Sequence, residues 1–144
     1  MASSKIKIFT LILKSIPKEV AKVDPFLKKV NRSIKFGETQ FHNLLVATTE
    51  AVNNSIAHGN HKDSSKFVTI TAKVFKSSIK IQVHDEGEGV KPEDIPNPLE
   101  DKNLLRENGR GIFLMTQFMD NVTFERCPQG SNVIMMLRKR KTDR

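Results

Sequence analysis

Between Glu38 and His58 the sequence places Phe41, Leu44, Leu45, Thr48, Val52 and Ile56 on one stripe of a helical wheel. A helix of that length with a single apolar stripe has to lay the stripe on a second layer. Gly59 ends the helical pattern, and two segments of alternating apolar residues follow: Val68, Ile70, Ala72 and Val74, then Ile79, Ile81 and Val83. Lys76-Ser77-Ser78 is short enough to link them as a hairpin. The stripe should therefore lie on a sheet, which makes the chain an α+β protein.

The flanks extend this plan. Residues 5–14 read as a first strand, apolar on both faces around Phe9, Leu11, Ile12 and Leu13. Pro17 opens a helical pattern through Val20, Val23, Leu27 and Val30, and Pro25 either breaks or restarts it. Residues 85–108 are rich in Gly, Pro, Asp, Glu and Asn and read as a functional lid. Ile112, Phe113, Met115, Phe118 and Met119 predict a helix opening at Gly109 to Gly111. Strands are expected near Val122 to Arg126 and Asn132 to Arg138. The expected architecture is a two-layer sandwich of α+β class. Its sheet is mixed but mainly antiparallel, and helices including Glu38 to His58 and Gly111 to Met119 cover one face.

At 144 residues the chain is the size of one domain, expected to span 1–144, and its 38% hydrophobic and 28% charged content is that of an ordinary globular protein. Cys127 is the only cysteine, so no intrachain disulfide forms. No apolar run reaches the length of a membrane span and no signal peptide is evident, so a cytoplasmic location with no membrane association is expected. The net charge of +8 suits nucleic acid, an acidic partner or a nucleotide alike. Its lysines are scattered, without a basic helix interleaved with aromatics, and no direct nucleic-acid contact is expected. His42, His58, His61 and His84 lack a metal-ligand spacing, and no structural metal is expected.

Three groups of residues carry chemistry. Glu50 and Asn54 stand four apart, on one face of the long helix almost opposite its apolar stripe. A carboxylate can accept a proton from an attacking hydroxyl, and an amide oxygen is a hard ligand for Mg²⁺. Asp85-Glu86-Gly87-Glu88-Gly89 follows a strand directly, where an acid can accept a hydrogen bond from an exocyclic amine and glycines let a flat base approach. Asn108-Gly109-Arg110-Gly111 opens a helix whose free N–H groups suit phosphate, with Arg106 and Arg110 adding positive charge. Each group also has an ordinary structural reading: a solvated helix face, a strand-terminal turn, a loop-to-helix junction.

In their order, these signals resemble the GHKL family of ATPases and kinases, over about Glu50 to Ser131. Its helix box Glu-x-x-x-Asn is matched by Glu50 to Asn54, with Ala57-His58-Gly59 closing the segment. Its Asp-x-Gly-x-Gly box falls on Asp85, Gly87 and Gly89, its Gly-x-Gly box on Gly109 and Gly111, and a final Gly-hydroxyl pair on Gly130-Ser131. The wording around Glu50, Arg106 to Gly111 and Phe118 to Val122 is similar to anti-sigma-factor serine kinases. The chain is also short for the phospho-accepting helices or transducer domain of other branches. Asn108 and Ser131-Asn132 depart from the family pattern, where Gly and a Thr-containing pair are usual.

The resemblance implies ATP and Mg²⁺ as cofactors, Glu50 as base and Asn54 as magnesium ligand. It implies Asp85 as reader of the adenine amine, and Gly87, Gly89, Arg106, Gly109, Arg110, Gly111 and Ser131 around the nucleotide. It further implies a serine on an antagonist (anti-anti-sigma) protein as phosphate acceptor, and a sigma factor as a sequestered partner. Dimerisation is common among similar proteins, so a homodimer is compatible with the resemblance. A non-catalytic module that uses ATP to shape a sequestering surface is the alternative, and a stand-alone ATPase a third reading.

Overall fold

The computed structural model describes residues 5–87 and 107–141, with the side chains of Glu107 and Asn108 left aside. Five strands form one sheet in the order β1-β2-β3-β5-β4, from β1 (Lys7–Lys14), β2 (Phe67–Val74), β3 (Ser78–Asp85), β4 (Asn121–Cys127) and β5 (Gly130–Arg138). All four pairings are antiparallel, so the parallel pair that a mixed sheet would contain is absent among the described residues. The link between β2 and β3 is Phe75 to Ser77, since Ser78 already belongs to β3 and its carbonyl accepts from Phe75 N at 2.9 Å.

The helical layer holds α1 (Val23–Ile34), α2 (Glu38–Asn54) and α3 (Glu107–Phe118). Pro17 opens a separate 3₁₀ turn, Pro17–Lys22, and α1 starts anew at Val23. Pro25 thus falls in the first turn of α1, where a missing N–H costs nothing. The chain leaves α1 through Lys35 in the left-handed region, φ 60°, and Asn31 brackets the bend by hydrogen-bonding both backbone groups of Phe36. α2 then packs against both α1 and α3.

The core lies between the layers. From the helices it takes Val23, Leu27, Val30, Leu44, Ala51 and Val52, and from the sheet Leu13, Ile70, Ile81, Val83, Met135 and Leu137. Burying side chains of this size stabilises a fold by about 1.5–3 kcal/mol each. Along α2 and its continuation to Gly59, Leu44, Thr48, Val52 and Ile56 are buried as the stripe predicts, whereas Phe41 and Leu45 are only half-buried. Gln40, Ala47, Ala51 and Ser55 take the remaining buried positions, because α1 and α3 flank the helix as well as the sheet beneath it.

The opposite face of the sheet is uncovered by described residues. On the first strand Phe9, Leu11 and Leu13 turn towards the core, while Ile8 and Ile12 on its other face are 60–61% exposed, as is Ile6 (54%) just before it. The basic C-terminal segment is also tied down. Gln40 Nε2 donates to Arg138 O at 2.7 Å, Arg140 N donates to Gln40 Oε1 at 2.9 Å, and Lys139 Nζ donates to Ile34 O at 3.1 Å.

Candidate active site

The site forms where the C-terminal end of α2 meets the start of α3 and the ends of β3 and β5. α2 does not run on to His58 as an α-helix. It widens at Ser55–Gly59 into a single π-turn, closed by Asn60 N donating to Ser55 O at 2.8 Å. Such turns often mark functional positions within helices. Here the turn presents Gly59 to Asp85: a Cβ on Gly59 would stand 2.4 Å from Asp85 Cγ and Oδ2. Only a bare α-carbon admits that carboxyl.

Asp85 ends β3 and is 5% exposed. Its Oδ1 accepts from Gly87 N and from Ser131 Oγ, both at 2.9 Å. Ser131 is the cross-strand partner of Asp85, which explains how residues distant in sequence meet. Gly130, at φ 147°, passes so close that a Cβ there would lie 1.9 Å from Asp85 O. The Asp85 carboxylate is thereby fixed, with Oδ1 satisfied and a second oxygen left to accept from a ligand.

Glu50 and Asn54 are half-buried on the α2 face that meets α3. A Cβ on Gly111 would stand 2.9 Å from Glu50 Oε2 and 3.3 Å from Asn54 Nδ2. α3 begins at Glu107, earlier than the sequence pattern suggests, so Gly111 lies one turn inside it. Its contribution is close approach to Glu50 and Asn54, whereas the free N–H groups belong to the residues before Arg110. Gly109 is buried and Arg110 exposed. Gly89, Arg106 and residues 88–106 of the lid read over 85–108 lie outside the described residues, while 107–108 belong to α3.

A cleft joins these groups. Asn54, Asp85 and Ser131 supply polar atoms; Ile112, Phe124 and Val133 supply apolar walls; Ser55, His58, Gly59, Glu125 and Asn132 complete the lining. Phe124 and Val133 are cross-strand partners, so one register step builds that wall. They escaped the sequence reading because apolar residues in a strand pattern read as core. Glu50 is adjacent to the cleft through Asn54 and Gly111 rather than part of its lining. The donor set fits a magnesium nucleotide: an amide oxygen and a carboxylate for a hard cation, a buried acceptor for an exocyclic amine, and apolar walls for a flat base.

An α+β layer with a fixed aspartate at a strand end and a Glu–Asn face closely approached by a glycine in the next helix defines a GHKL-type nucleotide domain. The sequence profile of the histidine kinase-like ATPase domain matches residues 13–137. An anti-sigma F factor from Clostridium perfringens is 31% identical over 124 residues, covering 84% of this chain and 81% of the relative. The serine-protein kinase RsbW of Oceanobacillus iheyensis is 31% identical over 102 residues, covering 67% of this chain and 65% of the kinase. Among solved structures, the RsbU and RsbW domains of a Mycobacterium tuberculosis protein superpose with a TM-score of 0.66 at 13% identity, over 92% of this chain and about a third (32%) of that one. The mycobacterial sensor histidine kinase MprB gives 0.56 at 15% identity, over 92% and 99%. These structures share the fold. The chain belongs to the histidine kinase-like ATPase family, in its branch of anti-sigma-factor serine kinases.

Proposed function

We propose that the chain is an ATP-dependent serine kinase that transfers the γ-phosphoryl group of ATP to a serine on an anti-anti-sigma protein, and that also holds a sigma factor. The observation that carries this reading is the approach of Gly111 to Glu50 and Asn54, which brings a proton acceptor and a hard oxygen ligand together beside the Asp85–Ser131 cleft. Binding nucleotide alone has no use for a base in that position.

Asp85 accepts a hydrogen bond from the adenine amine, Gly87 lets the turn close on Gly59, and Gly89 leaves room for the base. Ser131 keeps the carboxylate oriented through its hydroxyl. Gly109 offers its N–H to phosphate in the first turn of α3, while Arg106 and Arg110 offset charge on the transferring group. Asn54 would hold a magnesium ion through its amide oxygen, and that ion would supply neutralisation of phosphate charge. Glu50 takes the proton of the incoming serine hydroxyl as the serine oxygen bonds to phosphorus and the bond to the bridging oxygen of ADP breaks.

The chain works as a single domain over 1–144 in the cytoplasm, and a second copy joins it along β1, where Ile8 and Ile12 face outwards. No helix among the described residues is long and apolar enough to cross a membrane. Glu50→Gln tests the chemistry: ATP affinity should stay within about twofold while transfer to the serine partner falls at least ~100-fold. Transfer at the wild-type rate would remove Glu50 as the base.

A further inference from the structure

The turn that carries Asp85 is held from behind by a residue that belongs to none of the motifs. Asn60 follows the π-turn and is fully buried. Its Nδ2 donates to Ser15 Oγ at 2.8 Å and to Phe67 O at 3.0 Å, and its Oδ1 accepts from Glu86 N at 2.8 Å. Both N–H groups and the oxygen of the amide are engaged. Glu86 closes the arrangement from the other side, its Oε2 accepting from Phe67 N at 2.6 Å. The segment just after Asp85 is thus tied to the start of β2 by two routes, one through Asn60 and one through the Glu86 carboxylate.

Asp85 depends on that segment. Gly87 N donates to its Oδ1, and a Cβ on Gly87 would fall 2.0 Å from Gly59 O, so the turn sits directly on the end of the π-turn. If the turn lifted off Gly59, the carboxyl would leave its groove and lose the Gly87 bond together. Asn60 Oδ1 acts one residue from Asp85, on the amide that a lifting motion would carry away first. Its Nδ2, besides the bond to Phe67 O, reaches Ser15 just past the end of β1, and that bond is separable from the one to Glu86 N by mutation of Ser15.

We propose that Asn60 is a positioning residue for base recognition: its Oδ1, together with the Glu86 carboxylate, holds the Asp85–Gly87 turn against Gly59 and so sets the preference for a 6-amino purine. The proposal rests on the nucleotide-site reading above.

The test is calorimetric titration of Mg-ATP and Mg-ITP, which differ at the 6-position, into the full chain and its Asn60→Ala, Glu86→Ala, Ser15→Ala and Asp85→Asn variants, with melting temperatures alongside. Losing one buried strut should weaken ATP about tenfold in Asn60→Ala and about threefold in Glu86→Ala, with ITP affected by less than about twofold. Ser15→Ala should lower the melting temperature and leave the ATP to ITP ratio at its wild-type value. A wild-type ratio in a folded Asn60→Ala protein overturns the proposal. If that variant does not fold, Glu86→Ala decides, because Glu86 is exposed and its removal leaves the core intact. Wild-type ATP affinity in Asp85→Asn would instead overturn the nucleotide-site reading and this proposal with it. ATP binding lost there with ratios unchanged in the other variants overturns this proposal alone.

Discussion

Glycines shape the site at two residues of different kinds. At Gly111 the atoms that a Cβ would meet are the tips of Glu50 and Asn54, which can swing aside. Alanine is also the better helix former, by about 1 kcal/mol. Gly111→Ala should therefore fold with a melting temperature at or near the wild-type value while phosphotransfer falls at least ~10-fold, a separation that a thermal melt and a transfer assay read together. At Gly130 the obstacle is backbone: Asp85 O lies 1.9 Å from the position of a Cβ, and the φ of 147° is open to little besides glycine. Gly130→Ala should lose stability by about 1–3 kcal/mol or more, visible in urea unfolding, before any question of activity arises.

Among the elements, α2 organises both core and site. Leu44 is fully buried, and Leu44→Ala should destabilise the fold by about 2–5 kcal/mol in a denaturant titration. The β5 end is secured more locally. Burial raises the Asp120 carboxyl pKa, but hydrogen bonds from Arg138 N and the Arg140 guanidinium outweigh it and hold that pKa below the ordinary 3.8. A depressed carboxylate pKa stabilises the fold above the ordinary value, and this contribution is lost as pH falls through the folded pKa. Acid unfolding of Asp120→Asn should accordingly show a shallower loss of stability below about pH 4 than the wild type. Arg138 is part of β5 and Arg140 is bonded to Gln40, so removing residues from Arg138 onward would cut a strand as well as a basic tail.

For the molecule as a whole, the layer plan was legible because periodicity reports which face of an element is covered. The alternation Val68, Ile70, Ala72 and Val74 and the stripe Leu44, Thr48, Val52 and Ile56 are buried as written. The exposure of Ile8 and Ile12 was not legible, because an apolar residue on an edge strand carries no sign of whether anything covers it. The motif residues could be named one by one, yet the Asp85–Ser131 bond depends on the β3–β5 register, and Asn60 owes its burial to a π-turn with no sequence signature. The proposed pairing of two copies along β1 makes a whole-molecule prediction: the chain should sediment as a dimer, and Ile8→Lys with Ile12→Lys as a monomer, without a loss of melting temperature; a wild-type monomer would overturn that pairing.

The central claim is that the cleft around Asp85 is the nucleotide site. Calorimetric titration of ATP with Mg²⁺ into the wild-type chain and into Asp85→Asn tests it most directly. The account predicts magnesium-dependent binding to the wild type and a loss of about tenfold or more in the variant, with both proteins folded. Equal affinity in the two would contradict it.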